Sequence, residues 1–176
     1  VYLNINKFKE ASDIFAEGLK IKNLKEIQPV LYASLLDNFA YSRFKINNTE
    51  GLKDFITALN LRDDLHEDYG KINSRIHLTE YYLSKKDTNT AIQYNDAANR
   101  LAKESNFNKE VLQTLDFYTK LKPKEGLKYA QEYIKLSDSL QQQERLTRNK
   151  LARIEFETDE IIVEKEAISN KFRFIR

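Results

Sequence analysis

Apolar residues along this chain recur at steps of three and four, the spacing that collects side chains on one face of a helix. Residues 28–45 carry Leu31, Leu35, Leu36, Phe39, Ala40 and Phe44. Residues 68–85 carry Tyr69, Ile72, Ile76, Thr79, Tyr82 and Leu83, and residues 108–120 carry Val111, Leu112, Leu115, Phe117 and Tyr118. Each segment runs into turn formers and helix caps, at 47–49, 86–89 and 122–124, where Pro123 suits a first helical turn. A further helical pattern follows every break, so the chain reads as all-α, built from helix–turn–helix units.

The second helices align with one another and with an earlier stretch. Their registers start at small residues, Ala11, Gly51, Ala91 and Gly126, spaced 40, 40 and 35 residues apart. Seven positions after each come Gly18, Ala58, Ala98 and, breaking the rule, Tyr133. A period near 40 means stacked helical hairpins. Small residues two turns apart share a face where a partner helix crosses closely. Phe15 and Phe55 stand four residues after the small one, placed to fill the space between hairpins, whereas Asn95 and Ala130 depart from that pattern.

The paired pattern resembles tetratricopeptide repeats, in the lengthened variety of about 40 residues found in bacterial regulators. The clearest match is the run 81–94, in which Tyr81, Tyr82 and Leu83 close one helix, Lys86 to Asn89 turn the chain, and Ala91, Ile92 and Tyr94 open the next. It lacks the family's Trp at the start of first helices and its Pro at most repeat ends. The resemblance covers roughly residues 5–138 and implies a tetratricopeptide-like helical repeat domain over 1–138.

From Leu127 onward there is no Pro or Gly, and the pattern runs Leu136, Leu140, Gln143, Thr147, Leu151, Ile154, Thr158, Ile161, Lys165, Ile168, Phe172. From Leu151 the steps alternate three and four, a heptad seam interrupted by Thr158 and Lys165. A long coiled-coil-like helix is expected over 139–176. Its charges come in blocks: Arg145, Arg148, Lys150 and Arg153, then Glu155, Glu157, Asp159, Glu160, Glu164 and Glu166, then Lys171, Arg173 and Arg176. By block order an antiparallel partner pairs these charges, and a parallel one juxtaposes like charges unless staggered. Runs 133–140 and 148–162 resemble the juncture between repeats and a transmembrane helix in bacterial tetratricopeptide-repeat sensor proteins. That resemblance implies an extracytoplasmic sensor fragment at the periplasmic face of the inner membrane, ending near the membrane surface. Beyond the membrane the family carries a histidine kinase or, less often, a helix-turn-helix DNA-binding module. The basic end argues mildly the other way, since positive residues favour the cytoplasmic flank.

Composition narrows the field. Four Gly and two Pro among 176 residues leave little for tight β-turns or Gly-rich phosphate loops. Twenty-nine basic and 27 acidic residues nearly cancel, so no global field recruits nucleic acid or an acidic membrane. Zero Cys removes disulfides, thiolate nucleophiles and thiolate metal sites. The longest apolar run is 30–33, far short of the roughly 20 residues of a spanning helix. A start at Val1 and the lack of Met suggest a piece of a longer protein, with any membrane segment beyond Arg176.

Candidate chemistry is sparse. Asp63, Asp64, His66, Glu67 and Asp68 could in principle hold a hard cation, but an acidic loop also serves as a cap for the helix that follows, and that reading is preferred. His77 lies eleven residues after His66, outside the i, i+4 spacing of zinc proteases, and is expected to be structural. No GxSxG elbow, phosphate loop or kinase His-box occurs, so no catalytic residue, cofactor site or metal site is expected. Ten Tyr and ten Phe at helical spacing read as core rather than as a stacking platform for bases, and nucleic acid is not expected as a partner.

Repeat arrays bind on an extended concave face, lined in the resembled family by the first helix of each pair. Aligned from the small residues, Arg43, Asn73, Glu80, Asn108 and Tyr118 are expected to face it. The family's carboxylate clamp for peptide C-termini is not expected, since Leu36, Ile76 and Val111 occupy one of its positions. Leu151, Ile154, Ile161, Ile168 and Phe172 are expected to carry coupling along the last helix. The implied partners are a protein or peptide and, through that helix, a second copy of the chain. The rival reading is a soluble scaffold, cytoplasmic, that joins proteins and senses nothing.

Overall fold

The structure, a computed structural model, describes residues 7–47 and 51–173, with side chains to residue 166. All regular structure among the described residues is helical. In chain order the helices are α1 (Phe8–Leu19), α2 (Leu24–Ile27), α3 (Pro29–Ile46), α4 (Leu52–Asp64), α5 (Asp68–Ser84), α6 (Thr88–Glu104), α7 (Asn108–Leu121) and α8 (Gly126–Arg173), with a 3-10 turn at Pro123–Glu125. The three first helices expected from apolar spacing are α3, α5 and α7. Pro29 starts α3 and Pro123 starts the 3-10 turn, where the missing N–H costs nothing. The short α2 was not foreseen; its Leu24 is buried while its neighbours are exposed, so one apolar residue is its whole signal.

Two compact units divide the chain, Val1–Tyr133 and Ile134–Arg176, a boundary five residues before the one drawn from the sequence. In the first unit consecutive helices pack on each other from α3 to α7, and α1 packs on α3. Alternate helices touch as well, α3 with α5 and α5 with α7.

Three joints of this unit, those after α4, α5 and α6, share one turn. After α4, α5 and α6 the backbone passes through the left-handed region at His66, Lys86 and Asn106, with φ of 53°, 61° and 59°. The next N–H then reaches back to the last turn: Glu67 to the Arg62 carbonyl at 3.1 Å, Asp87 to Tyr82 at 3.0 Å, Phe107 to Ala102 at 2.9 Å. This satisfies carbonyls that a helix end leaves without partners. The turn recurs every 20 residues, half the period read from the sequence, so turns within and between hairpins share one geometry.

Packing explains the small residues. Ala11, Ala58, Ala91 and Ala98 are buried, and a Cβ at Gly18 would lie 3.0 Å from Leu35 Cδ1, the close crossing expected there. Gly51 is small for another reason. It precedes α4 with φ of 104°, and a Cβ would sit 2.7 Å from the Ala40 carbonyl oxygen. Gly126 has ordinary space around it, its nearest neighbour being the Thr119 carbonyl oxygen at 3.5 Å. Phe44, Phe55 and Tyr81 form the aromatic centre, with ring centroids 5.4 to 6.4 Å apart, joined by Ala40, Leu59 and Leu78. Full burial of Phe55 contributes about 2–3 kcal/mol. Asn95, which departs from the Phe pattern, is buried between α6 and α7 and donates to the Thr114 carbonyl at 3.1 Å; Asn99 donates to the Thr114 hydroxyl at 2.7 Å.

The two glycines therefore separate in experiment. Gly51→Ala is expected to destabilise by at least about 1–2 kcal/mol, and Gly126→Ala to be neutral or stabilising by up to about 1 kcal/mol, measured by urea unfolding.

Candidate functional site

The helix faces of α3 and α5 enclose a polar cavity of about 350 Å³ lined by Ser34, Asp37, Asn38, Arg62, Glu67, Tyr69, Gly70, Asn73 and His77. That is the low end of the range for small-molecule sites. Its floor is a buried ion cluster. Asp37 on α3 is 1% exposed and Arg62 on α4 is 4% exposed, and Arg62 Nη1 donates to Asp37 Oδ2 at 3.0 Å. The same guanidinium donates to the Gly70 carbonyl at 2.8 Å, to the Ser74 hydroxyl at 2.6 Å and to the Ser34 hydroxyl at 3.3 Å, reaching α3 and α5 at once. Ser74 donates in turn to Asp37 Oδ1 at 3.1 Å, and His77 Nδ1 lies 3.0 Å from Oδ2.

Glu67 closes the cluster from the start of α5. One oxygen accepts from the Gly70 N–H at 2.9 Å as a helix cap, and the other lies 3.5 Å from Arg62 Nε. Gly70 is required by this crowding, since a Cβ there would meet the second oxygen at 1.8 Å and Arg62 Nε at 2.5 Å. Burial pushes the Asp37 carboxyl up, but His77, Arg62 and the Ser74 hydroxyl outweigh it and hold the group below its ordinary 3.8. His77 also stacks on Tyr41, with centroids 4.1 Å apart. The cluster thus fixes three helices, and its polar floor sets two carboxylates, Asp37 and Glu67, around one guanidinium. Above that floor Ser34, Asn38, Asn73 and the half-buried His77 offer donors and acceptors, an arrangement suited to a polar hydrogen-bonding group.

Of the expected surface residues only Asn73 lines this cavity, and its Nδ2 donates to the Tyr69 carbonyl at 3.1 Å. Glu80 lies two turns further along α5 and is tied to α3, accepting from the Tyr41 hydroxyl and from Lys45 Nζ, both at 2.9 Å. Arg43 turns toward α4, 3.7 Å from Asp54, with its guanidinium 5.3 Å from the Phe39 ring centre. Asn108 is exposed at the first position of α7. Tyr118 is a correction: it is buried rather than on an open face, its hydroxyl donating to Asp96 at 2.5 Å and its ring stacked on Tyr129 at 4.5 Å. Burial, and then Asp96, raise its phenol well above the ordinary 10. Leu36, Ile76 and Val111 are buried core residues. On α8, Leu151, Ile154 and Ile161 are exposed, while the side chains of Ile168 and Phe172 lie outside the described residues.

The acidic loop acts as a cap: besides Glu67, Asp68 pairs with Lys71 at 2.6 Å and Asp63 with Arg75 at 3.4 Å. Among the described residues no group of three or more His, Asp or Glu is placed to hold a metal. Asp37, Arg62 and Ser74 were missed by sequence reasoning, although a signal exists. Asp37 falls between Ala33 and Ala40 on the apolar stripe of α3, and Arg62 follows Ala58 and Leu59 on that of α4, so each charge sits where only a buried partner can satisfy it. Compared with protein-family models, with curated proteins and with solved structures, the chain matches none.

Two outcomes follow from the cluster. Gly70→Ala must expel the Glu67 carboxylate and is expected to cost about 1–3 kcal/mol in urea unfolding. A carboxyl depressed on folding contributes stability that is complete above its unfolded pKa and is lost as pH falls through the folded one. Wild type is therefore expected to lose stability more steeply than Asp37→Asn as pH drops below about 4, measured as unfolding free energy from pH 6 to pH 2.

Proposed function

We propose that this chain is a signal-input and interaction module with no catalytic role, in which tetratricopeptide-like hairpins receive a ligand at the α3–α5 cavity and α8 passes the change onward. The observation that carries this reading is the cavity itself, open polar groups on a floor held rigid by the Asp37–Arg62 cluster. Preorganised floors of this kind lower the cost of ordering a site on binding. The ligand is a peptide, a protein segment or a small polar molecule.

The resemblance of residues 133–140 and 148–162 to the juncture of bacterial sensor proteins supports a place in a two-component receptor, on the periplasmic face of the inner membrane. No helix among the described residues is long and apolar enough to cross a membrane; this reading therefore requires a spanning segment and an output module outside these residues. For α8 to relay anything, the ligand must bind one arrangement of it better than another, since equal affinity shifts no population.

The rival reading is a soluble scaffold in which the last helix caps the array. The stacking of Tyr129, at the start of α8, on Tyr118 favours it.

An NMR screen with short peptides and small polar solutes tests the cavity. Binders are expected to shift Asn38, Asn73 and His77 first; binders that map only to other surfaces would sink the cavity reading. Ile154→Asp with Ile161→Asp tests the relay: the repeats are expected to keep their melting temperature while self-association is lost. If association survives, the scaffold reading gains.

A further inference from the structure

The two helix walls of the α3–α5 cavity differ in hydrogen-bonding character. Ser34 and Asn38 stand four residues apart on one face of α3, and Asn73 and His77 four apart on one face of α5, so each pair lines the cavity from its own helix. Arg62 Nη2 donates to the Ser34 hydroxyl at 3.3 Å, which leaves the Ser34 O–H free to donate. Asn73 is fixed the other way round. Its Nδ2 donates to the Tyr69 carbonyl at 3.1 Å, a group that only accepts, so Oδ1 is its open acceptor.

His77 is settled by the same reasoning. Its Nδ1 lies 3.0 Å from Asp37 Oδ2, a carboxylate that also accepts from Ser74 and Arg62. Burial raises the Asp37 carboxyl, but His77, Arg62 and Ser74 outweigh that and hold it below the ordinary 3.8, so the group is ionised and can only accept. The proton of an uncharged imidazole must then sit on Nδ1, and Nε2 carries a lone pair. Neighbouring rings hold the imidazole in place: Tyr41 stacks on it with centroids 4.1 Å apart, and Phe55 flanks it at 5.9 Å. Nothing bonds Nε2 among the described residues, and it is not one of the polar atoms sealed from water, so it opens into the cavity that His77 lines. Asn73 Oδ1 and His77 Nε2 thus give the α5 wall two acceptors one turn apart.

We propose that the cavity selects its ligand by an N–H or O–H donor placed on His77 Nε2, and that protonation of His77 releases it. This rests on the reading of the cavity as a binding site and adds which atom decides what enters. A protonated Nε2 turns an N–H toward the ligand's own donor, and the bond is lost. Charged and titratable groups surround the ring on every side: Asp37 and Tyr41 from α3, Arg62 from α4, Glu67 at the start of α5, and Glu80, which with Lys45 holds the hydroxyl end of Tyr41. Burial and Glu80 push the Tyr41 phenol well above the ordinary 10, and a guanidinium keeps its charge, so neither changes state in the range of pH 5 to 8 where imidazoles titrate. The uncharged ring is the binding form, so affinity falls as pH falls.

The probes are malonamide, with N–H donors at both ends, and dimethyl malonate, close to it in shape but with none, each titrated into the isotope-labelled full chain and followed by NMR. At pH 8 malonamide is expected to shift Asn73 and His77 and to bind about tenfold more tightly than the diester. Its affinity is expected to fall by up to about tenfold per pH unit once the ring-nitrogen signals of His77 show it charged. In the free chain those signals are expected to show Nδ1 protonated and Nε2 bare. The chain has two His, so His77→Asn identifies them. That variant keeps an N–H where Nδ1 stands, because Asn Nδ2 occupies the same place along the side chain, and it removes Nε2. It is expected to hold the wild-type melting temperature, to bind malonamide about tenfold more weakly than wild type, and to lose the pH dependence.

Malonamide that never enters the cavity overturns the cavity reading and this proposal together. A cavity that takes the diester equally well, an affinity indifferent to the charge on His77, or a proton found on Nε2 overturns this proposal alone; all three are read on the wild type, whatever the stability of the variant. Equal binding of malonamide by wild type and a folded His77→Asn does the same.

Discussion

The contact between Arg62 and Asp37 is the constraint on which the repeat unit depends. A guanidinium from α4 is buried among groups of α3 and α5, and its removal leaves the buried Asp37 carboxylate with only Ser74 and His77 as partners, a loss of about 3–5 kcal/mol for a buried pair. That is a large part of what a domain of this size has to spare. Apolar packing brings the helices together, but Phe, Leu and Ala tolerate sliding in a way that directed hydrogen bonds do not. The cluster fixes which turn of α3 faces which turn of α5, and the cavity above it inherits that register.

Much of the architecture was legible in residue spacing. Apolar steps of three and four located α3, α5 and α7 to within about two residues, because each helix buries one stripe against its neighbours. The Ala positions at seven-residue intervals marked close crossings for the same reason. Gly51 and Gly126 matched that pattern for unrelated reasons, a left-handed backbone and a helix start, which no spacing rule can separate. The joint shared by His66, Lys86 and Asn106 was hidden, since none of these positions is glycine.

The site was much less legible. Of five residues expected on the open face, Asn73 lies in the cavity, Glu80 and Arg43 are tied into the helix pairs beside it, Asn108 is exposed elsewhere, and Tyr118 is buried against α6 and α8. Counting turns from a small residue gives direction around a helix but not the depth to which neighbours cover it. Asp37 and Arg62 needed the reverse question, which buried charges on neighbouring stripes satisfy each other.

A double-mutant cycle on Asp37 and Arg62, read by urea unfolding of Asp37→Leu, Arg62→Met and the pair, tests the central claim most directly. The account expects each single change to cost about 3–5 kcal/mol and the double change to cost at least about 2 kcal/mol less than their sum, since the pair of apolar side chains removes the Asp37 charge together with its cation and leaves only the part-exposed Glu67 to be resolvated. Additivity to within about 0.5 kcal/mol would contradict it, and the register of these helices would then rest on apolar packing alone.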